Sequence, residues 1–415
     1  MHYGLIGKSL VHSLSPEIHA ALIPGISYAC RELPSEAAVH AFLKSRAFSG
    51  VNVTVPYKRT VLEDLDWLSP TAQAIGAVNC IVQRGRKLYG YNTDFIGLDT
   101  MLKRHAVVLQ GRTVAILGTG GAARCAAYVV RRAGGRFVFV SRNPGPKMIS
   151  YDELYRKEAA FSVLIQATPV GMFPEGEKSA VDLKRLPSIR TVIDLVANPL
   201  RTGLQFAAKM LGRTYIGGFE MLVRQAAKAD AYFFNTTIDE AHIQRCMTEI
   251  RQAHQNIVLI GMPSSGKTSV AATLGKSLHR PVLSMDEQLA KQFGKPIRQV
   301  FAEEGEAAFR RAEEALAISL RNKSGYVIAT GGGMILSAAG MQALGGNGIF
   351  VWLDRDFRYL KADAERPLSA NQADLRALYA ARHSRYEKYS DVRIENNGTI
   401  EEAVALIREK VLNVG

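Results

Sequence analysis

Two glycine-rich stretches in this chain have the spacing that cradles a phosphate: "LGTGGAAR" at Leu117–Arg124 and "GMPSSGKTSV" at Gly261–Val270. In the first, Gly118, Gly120 and Gly121 follow an apolar run and open a helical one. A bare turn at a helix N-terminus lets a pyrophosphate approach free backbone amides. The glycines alone are weak evidence. The next apolar run, "RFVFV", ends in Ser141-Arg142. An acid there would bind the ribose hydroxyls of NAD, whereas an arginine suits the extra phosphate of NADP; a solvated loop arginine is the plainer alternative. The second stretch fits G-x-x-x-x-G-K-[ST] in full, after "NIVLI" and ahead of the helical "TSVAATLGKSL", which is the context the motif requires. Its amides bind phosphate oxygens, Lys267 reaches the β- and γ-phosphates, and the Thr268 hydroxyl coordinates Mg²⁺. Two cradles imply two nucleotide ligands.

A hydride donor needs a neighbour that manages a proton. Lys58 in "VNVTVPYK" is expected at a helix start after the turn at Pro56, and Asp94 in "GYNTDFIG" at a strand–helix junction. Converging on a cleft, the two would stabilise a developing alkoxide and move its proton. One Lys and one Asp also make an ordinary surface ion pair, and spacing leaves both readings open.

The elements that must hold these groups alternate short β-rich runs with amphipathic stretches, the pattern of α/β folds. Residues 1–100 read as one α/β unit, with strands "HYGLIG", "SYACREL", "GVNVTV", "AVNCIV" and "KLYGYN". A second unit, 101–217, carries "TVAIL", "RFVFVS", "SVLIQAT" and "TVIDLV"; helical patterns over about 218–254 are expected to complete the first unit. A third, 255–415, restarts the strand–loop–helix pattern with "NIVLIG", "YVIAT" and "GIFVWL". The length of 415 residues suits two or three domains. Hydrophobic content of 47% and charged content of 22% are those of a globular chain. No apolar run is long enough for a membrane span and no signal peptide is evident, so a cytoplasmic protein with no membrane partner is expected. Four scattered cysteines without a C-x-x-C pair read as buried free thiols. The net charge of +14 is spread out, with 30 Lys+Arg against 20 Asp+Glu in residues 1–250 and 22 against 18 beyond. That argues for anionic small substrates over a nucleic-acid partner, and leaves the oligomeric state open.

Seven stretches in one order over residues 1–250, "SLSPEIH", "NVTVPYK", "GAVNC", "GYNTDFIG", "GTGGAA", "ATPVGM" and "GGFEMLVRQA", resemble shikimate dehydrogenase. The resemblance implies a Rossmann NADP-binding domain behind the α/β substrate domain and NADPH-dependent reduction of 3-dehydroshikimate to shikimate. It implies that Lys58 and Asp94 are the catalytic pair, that Ser13 and Ser15 hold the substrate carboxylate, and that Thr54, Asn79 and Gln225 hold the ring hydroxyls. The cofactor would meet Gly118, Thr119, Gly120, Gly121, Ala122, Ser141, Arg142, Leu195 and Gly218. One departure is "DLVANP", where the family places a tyrosine at the position of Ala197; that implies a weaker grip on the carboxylate. Another is "SRNPGPK", which keeps Arg142 but alters its neighbours.

The remainder, about 256–413, resembles shikimate kinase: the complete phosphate loop, Asp286, "GEAAFRRAE", "ATGGGM", "ERPLS" and "LYAARHSRY". The resemblance implies a P-loop, nucleoside-monophosphate-kinase-like domain that transfers phosphate from ATP, with Mg²⁺, to shikimate. Ser264, Ser265, Gly266, Lys267, Thr268, Ser269 and Arg366 would hold ATP, with Lys267 also catalytic. Asp286 would accept from the attacking hydroxyl, and Arg310, Gly332 and Arg382 would bind the acid. Arg311 and Glu314 read as a solvated helix face. The family's Asp-x-Asp reads "SMD" here, so Ser284 replaces an acid of the Mg²⁺ water shell, and Ser369 replaces a leucine of a short lid. Two rival readings follow: a nucleotide-binding regulator in place of the kinase, and a quinate dehydrogenase in place of the shikimate enzyme.

Overall fold

Apolar runs of four or five residues become strands wherever a helix or a second strand can cover them. In the computed structural model, which describes residues 2–362, 368 and 371–412, the chain divides between Ile250 and Arg251 into two units. The first unit holds two sheets. One contains β1 (Tyr3–Gly7), β2 (Tyr28–Glu32), β3 (Gly50–Val53), β4 (Trp67–Leu68), β5 (Cys80–Arg84) and β6 (Lys87–Tyr91) in the order β2-β1-β3-β5-β6-β4. Its β1, β2 and β3 are parallel, and β3, β5 and β6 antiparallel. Ile6, Leu43, Val51, Ile81 and Leu88 fill one core face.

The other sheet is wholly parallel: β7 (Thr113–Leu117), β8 (Arg136–Val140), β9 (Met148–Ile149), β10 (Val163–Gln166), β11 (Thr191–Asp194) and β12 (Thr214–Gly217), ordered β12-β11-β10-β7-β8-β9. This is the doubly wound order of a dinucleotide-binding sheet. Its direction of winding reverses between β7 and β10, and the crevice beyond the carboxyl ends of those strands is where such sheets take ligands. Apolar clusters cover both faces.

The helical pattern near 218–254 forms two helices, Phe219–Phe234 and Glu240–His254, broken where Asn235 turns left-handed at φ 50°. The first packs on helix Ser15–Leu22 and on β5 through Ile18, Val223, Ala226, Cys80 and Phe233, and beside helix Asp94–Arg104. Gly97 permits that last approach, since a Cβ there would sit 2.6 Å from the Met221 carbonyl. Arg224, 4% exposed, locks the bundle with 2.7 Å contacts to both Glu220 and Glu240.

The second unit is a parallel sheet of β13 (Asn256–Ile260), β14 (Val282–Ser284), β15 (Val327–Ala329), β16 (Gly348–Asp354) and β17 (Val392–Glu395), ordered β14-β15-β13-β16-β17. Ile257, Leu259, Leu274, Val351 and Ile394 form its core.

The expectation of buried thiols holds for Cys80, Cys125 and Cys246, but Cys30 is exposed on the edge strand β2. Among the described residues no helix is long and apolar enough to cross a membrane.

Two candidate active sites

In the first unit a cavity of about 390 Å³ opens between the two sheets, lined from β3, the turn after it, helix Asp94–Arg104, the start of helix Gly121–Arg132, the 195–198 loop and helix Phe219–Phe234. Lys58 lies in a turn ahead of the short 3₁₀ segment Thr60–Asp64, not at the helix start expected from Pro56. Its Nζ donates to Asp94 Oδ2 at 2.6 Å, with side-chain exposures of 15% and 6%. That degree of enclosure sets it apart from a surface pair.

Asp94 is braced from the other side. Asn79 Nδ2 lies 3.0 Å from Asp94 Oδ1, 2.9 Å from Thr93 Oγ1 and 3.1 Å from Gln225 Oε1. Asn79 Oδ1 accepts from the Thr93 N–H at 2.6 Å, which fixes which end of the amide faces Asp94. Ser13, Ser15 and Thr54 line the same cavity, with the Ser15 N–H directed at Ser13 Oγ. Ala197 lines it too, beside Met172 and Phe173.

The cofactor expectations divide. Ala122, Leu195 and Gly218 line the cavity. Gly118, Thr119, Gly120 and Gly121 form the turn into helix Gly121–Arg132, whose N-cap, Gly120, offers no side chain to the free amides. A Cβ on Gly121 would press on the Lys58 side chain at 3.2 Å, so the bare turn sets the cradle against Lys58. Ser141 and the exposed Arg142 lie outside the cavity, after β8, where Arg142 faces the Tyr151 phenol. These residues fit a dinucleotide, with the reactive end at the cavity and the arginine at the far end.

Asp194, at the end of β11, carries the 195–198 wall. It accepts from Val196 N–H at 3.1 Å and Thr202 Oγ1 at 2.5 Å. Its burial pushes the carboxyl up to about 7.

In the second unit a cavity of about 440 Å³ is lined by the phosphate loop, Asp286, Phe309, Arg310, Glu313, Gly331–Gly333 and Arg382. Helix Lys267–Leu278 starts after Gly266 (φ 86°), again with no side-chain cap, so its amides are open to an anion. Lys267 is buried, its Nζ donating to the Gly261 and Met262 carbonyls at 2.9 and 2.8 Å. Ser264, Gly266, Thr268 and Ser269 line the cavity. Ser265 does not: its side chain is wholly buried, its N–H is given to Met262, and its carbonyl accepts from Asn396 Nδ2 at 2.6 Å.

Arg310 Nη1 meets Glu313 Oε2 at 2.6 Å and its Nε meets Glu306 at 3.1 Å. A Cβ on Gly333 would overlap the Arg310 guanidinium. Glu313 is 1% exposed, burial raises its carboxyl, and its Oε1 has no partner. Arg382 donates to the Gly332 carbonyl at 3.2 Å, beside the Tyr386 hydroxyl at 2.6 Å. Ser284 caps helix Met285–Phe293 by accepting from the Glu287 N–H. Among the described residues no three acids, histidines or cysteines gather to hold a metal. Arg366 and Ser369 lie outside the described residues.

The sequence reading passed over Asn52 at the first cavity, and placed Glu313 at the second in a matching motif without giving it a role. Each had a periodic signal: Asn52 is two residues before Thr54, on the same strand face, and Glu313 is three after Arg310, on the same helix face.

A family model described as the shikimate dehydrogenase substrate binding domain matches residues 5–81, and one described as shikimate kinase matches residues 263–412. The shikimate dehydrogenase (NADP(+)) of Clostridium beijerinckii is 36% identical over 253 residues, which cover 57% of this chain and 93% of that protein. The crystal structure of shikimate dehydrogenase 1 from Peptoclostridium difficile is 35% identical with a TM-score of 0.56, over 60% of this chain and 98% of that one. The shikimate 5-dehydrogenase of Thermus thermophilus, solved in complex with NADP(H) and shikimate, is 32% identical with a TM-score of 0.54, over 60% and 99%.

Proposed function

The chain belongs to the shikimate dehydrogenase family and carries a shikimate kinase domain behind it, and from that premise we propose that it reduces 3-dehydroshikimate to shikimate and then phosphorylates shikimate at the hydroxyl so formed. The observation that carries the first step is the enclosed Lys58–Asp94 contact at 2.6 Å with Asn79 and Gln225 against it.

NADPH, held by the Gly118–Gly121 turn and by Arg142, supplies the hydride. Lys58 donates a hydrogen bond to the ketone oxygen and gives it a proton as negative charge develops there. Asp94 keeps the ammonium oriented. Ser13 and Ser15 hold the carboxylate through neutral donors, and Thr54, Asn79 and Gln225 take the ring hydroxyls.

ATP, held by the phosphate loop, supplies the transferred phosphoryl group. Lys267 exchanges its two loop carbonyls for phosphate oxygens, which offer charge-assisted bonds in place of neutral ones. Asp286 orients the attacking hydroxyl, while Arg310 and Arg382 clamp the carboxylate, a geometry that guanidinium groups suit. Thr268 would hold Mg²⁺, with Ser284 contributing a hydroxyl where an acid would bring charge. We place this chemistry in the cytoplasm, in keeping with four unpaired cysteines.

One reaction mixture tests the proposal: 3-dehydroshikimate, NADPH, ATP and Mg²⁺, with NADPH oxidation and ADP release followed separately. Both signals are expected, the second only after the first. ATP binding without ADP release would favour the regulator reading, for which the uncharged Ser284 is the motivating observation. Faster turnover of quinate than of shikimate in the oxidative direction would replace the substrate.

A further inference from the structure

We infer that Tyr28 is a positioning residue for the dehydrogenase cavity, acting through Asn52 on Asn79; the inference rests on the reading of that cavity given above. Tyr28 heads β2, an edge strand whose other four residues are exposed, and its ring turns inward without lining the cavity. Its hydroxyl donates to Asn52 Oδ1 at 2.9 Å. Asn52 Nδ2 in turn donates to the main-chain carbonyl of Asn79 at 3.2 Å. Asn79 reaches Asp94, Thr93 and Gln225 through its side chain.

The ring is held from behind. His19 stacks on it, centroids 4.0 Å apart and planes 15° from parallel. His19 Nδ1 lies 2.6 Å from Asp230 Oδ1, both side chains being almost wholly buried. His19 belongs to the helix that begins at Ser15, and Asp230 to the helix that carries Gln225. So the support beneath Tyr28 joins the two helices that bring Ser15 and Gln225 to the cavity wall.

A buried polar chain of this length costs desolvation that a phenylalanine at 28 would avoid in part. What the hydroxyl supplies is orientation. An asparagine amide can present oxygen or nitrogen by a half-turn. The phenol as donor and the Asn79 carbonyl as acceptor both demand one choice, which fixes the face Asn52 turns to the substrate. Burial, with the Asp230 charge adding to it, holds the Tyr28 phenol well above its ordinary value, so it stays a donor.

The test uses the full chain with Tyr28→Phe, Asn52→Ala and the double variant, with Asn52→Ser as a second route should the alanine variant not fold. Tyr28→Phe keeps the ring and its stack. The KM for 3-dehydroshikimate is expected to rise about 5-fold, on the scale of one neutral hydrogen bond, while the KM for NADPH stays unchanged. The double variant is expected to match the Asn52 variant alone, because Tyr28→Phe removes only the hydroxyl, whose bond is to Asn52. An unchanged KM for Tyr28→Phe, or effects that multiply in the double variant, would overturn the inference and leave the phenol a packing group. A wild-type chain with no NADPH-dependent reduction would overturn the reading of the cavity as well.

Discussion

On the proposed reading, the dehydrogenase cavity and the kinase cavity take the same acid by different means. In the first, the lysine that lines the cavity is already committed to Asp94, and the proposal leaves the carboxylate to hydroxyls. In the second, the proposal gives the carboxylate to two guanidiniums, one of them already paired with Glu313 and Glu306, while the lysine rests on its own loop carbonyls. Hydride transfer develops a single negative charge, on the ketone oxygen, and is served by one preset pair. Phosphoryl transfer brings several negative charges together, and its site gathers Lys267, Arg310 and Arg382. The comparison predicts separable failures of very different size.

The largest effects come from the two lysines. Lys58→Ala is expected to lower kcat for ketone reduction by about 10³-fold and leave ADP release from added shikimate intact. Lys267→Ala should do the reverse, by about 10³-fold. Loss of both signals from either variant would break the separation of the two sites.

Next come the carboxylate clamps. Arg310→Met should raise the kinase KM for shikimate by about 50-fold, the scale of a charge-assisted contact. Ser13→Ala should raise the dehydrogenase KM by only about 5-fold, the scale of a neutral one. Arg310→Met also strands the buried Glu313 without its cation, so the melting temperature of the second unit should fall. Arg310→Lys keeps the charge and should recover the melting temperature more than the KM. Equal KM effects at the two sites would remove the contrast between charged and neutral grips.

The contrast was partly visible before any fold was known. Glycine turns at helix starts, and Lys58 and Asp94 beside a proline and at a junction, are local arrangements that a short window of sequence carries. The edges of the three sheets are a different matter. Of the strands not read from the sequence, β4, β9, β12, β14 and β17, each has two to four residues and each ends a sheet. An edge strand has one hydrogen-bonded neighbour and a thin apolar cover, so its pattern is weak. The same limit applies to Tyr28 and Tyr386, which matter through partners 24 and 54 residues away. Spacing along the chain says nothing of such pairs.

The wall of the first cavity carries a pH dependence of its own. Asp194 holds the 195–198 wall, and burial raises its carboxyl from 3.8 to about 7. Between those values the folded chain binds a proton that the unfolded chain has lost. Stability from this group is full below about pH 4 and falls as pH rises toward 7. Thermal unfolding of the first unit should show that decline, and Asp194→Asn should flatten it. A decline that persisted in Asp194→Asn would assign it elsewhere.

The smallest effect sharpens the one place where the kinase site lacks a charge. Ser284 already has a structural task, since its hydroxyl accepts from the Glu287 N–H at a helix start. Aspartate caps a helix as well as serine does, whereas alanine costs about 1 kcal/mol. Ser284→Asp should therefore keep the melting temperature of the second unit, and Ser284→Ala should lower it slightly. If the side chain also faces the water shell of Mg²⁺, the aspartate adds attraction that the hydroxyl cannot, and ATP binding followed by calorimetry should saturate at severalfold less Mg²⁺. Were Ser284→Asp to leave the Mg²⁺ dependence as it stands, the residue would be a helix cap alone. The kinase site would then hold its metal through Thr268 and the nucleotide itself.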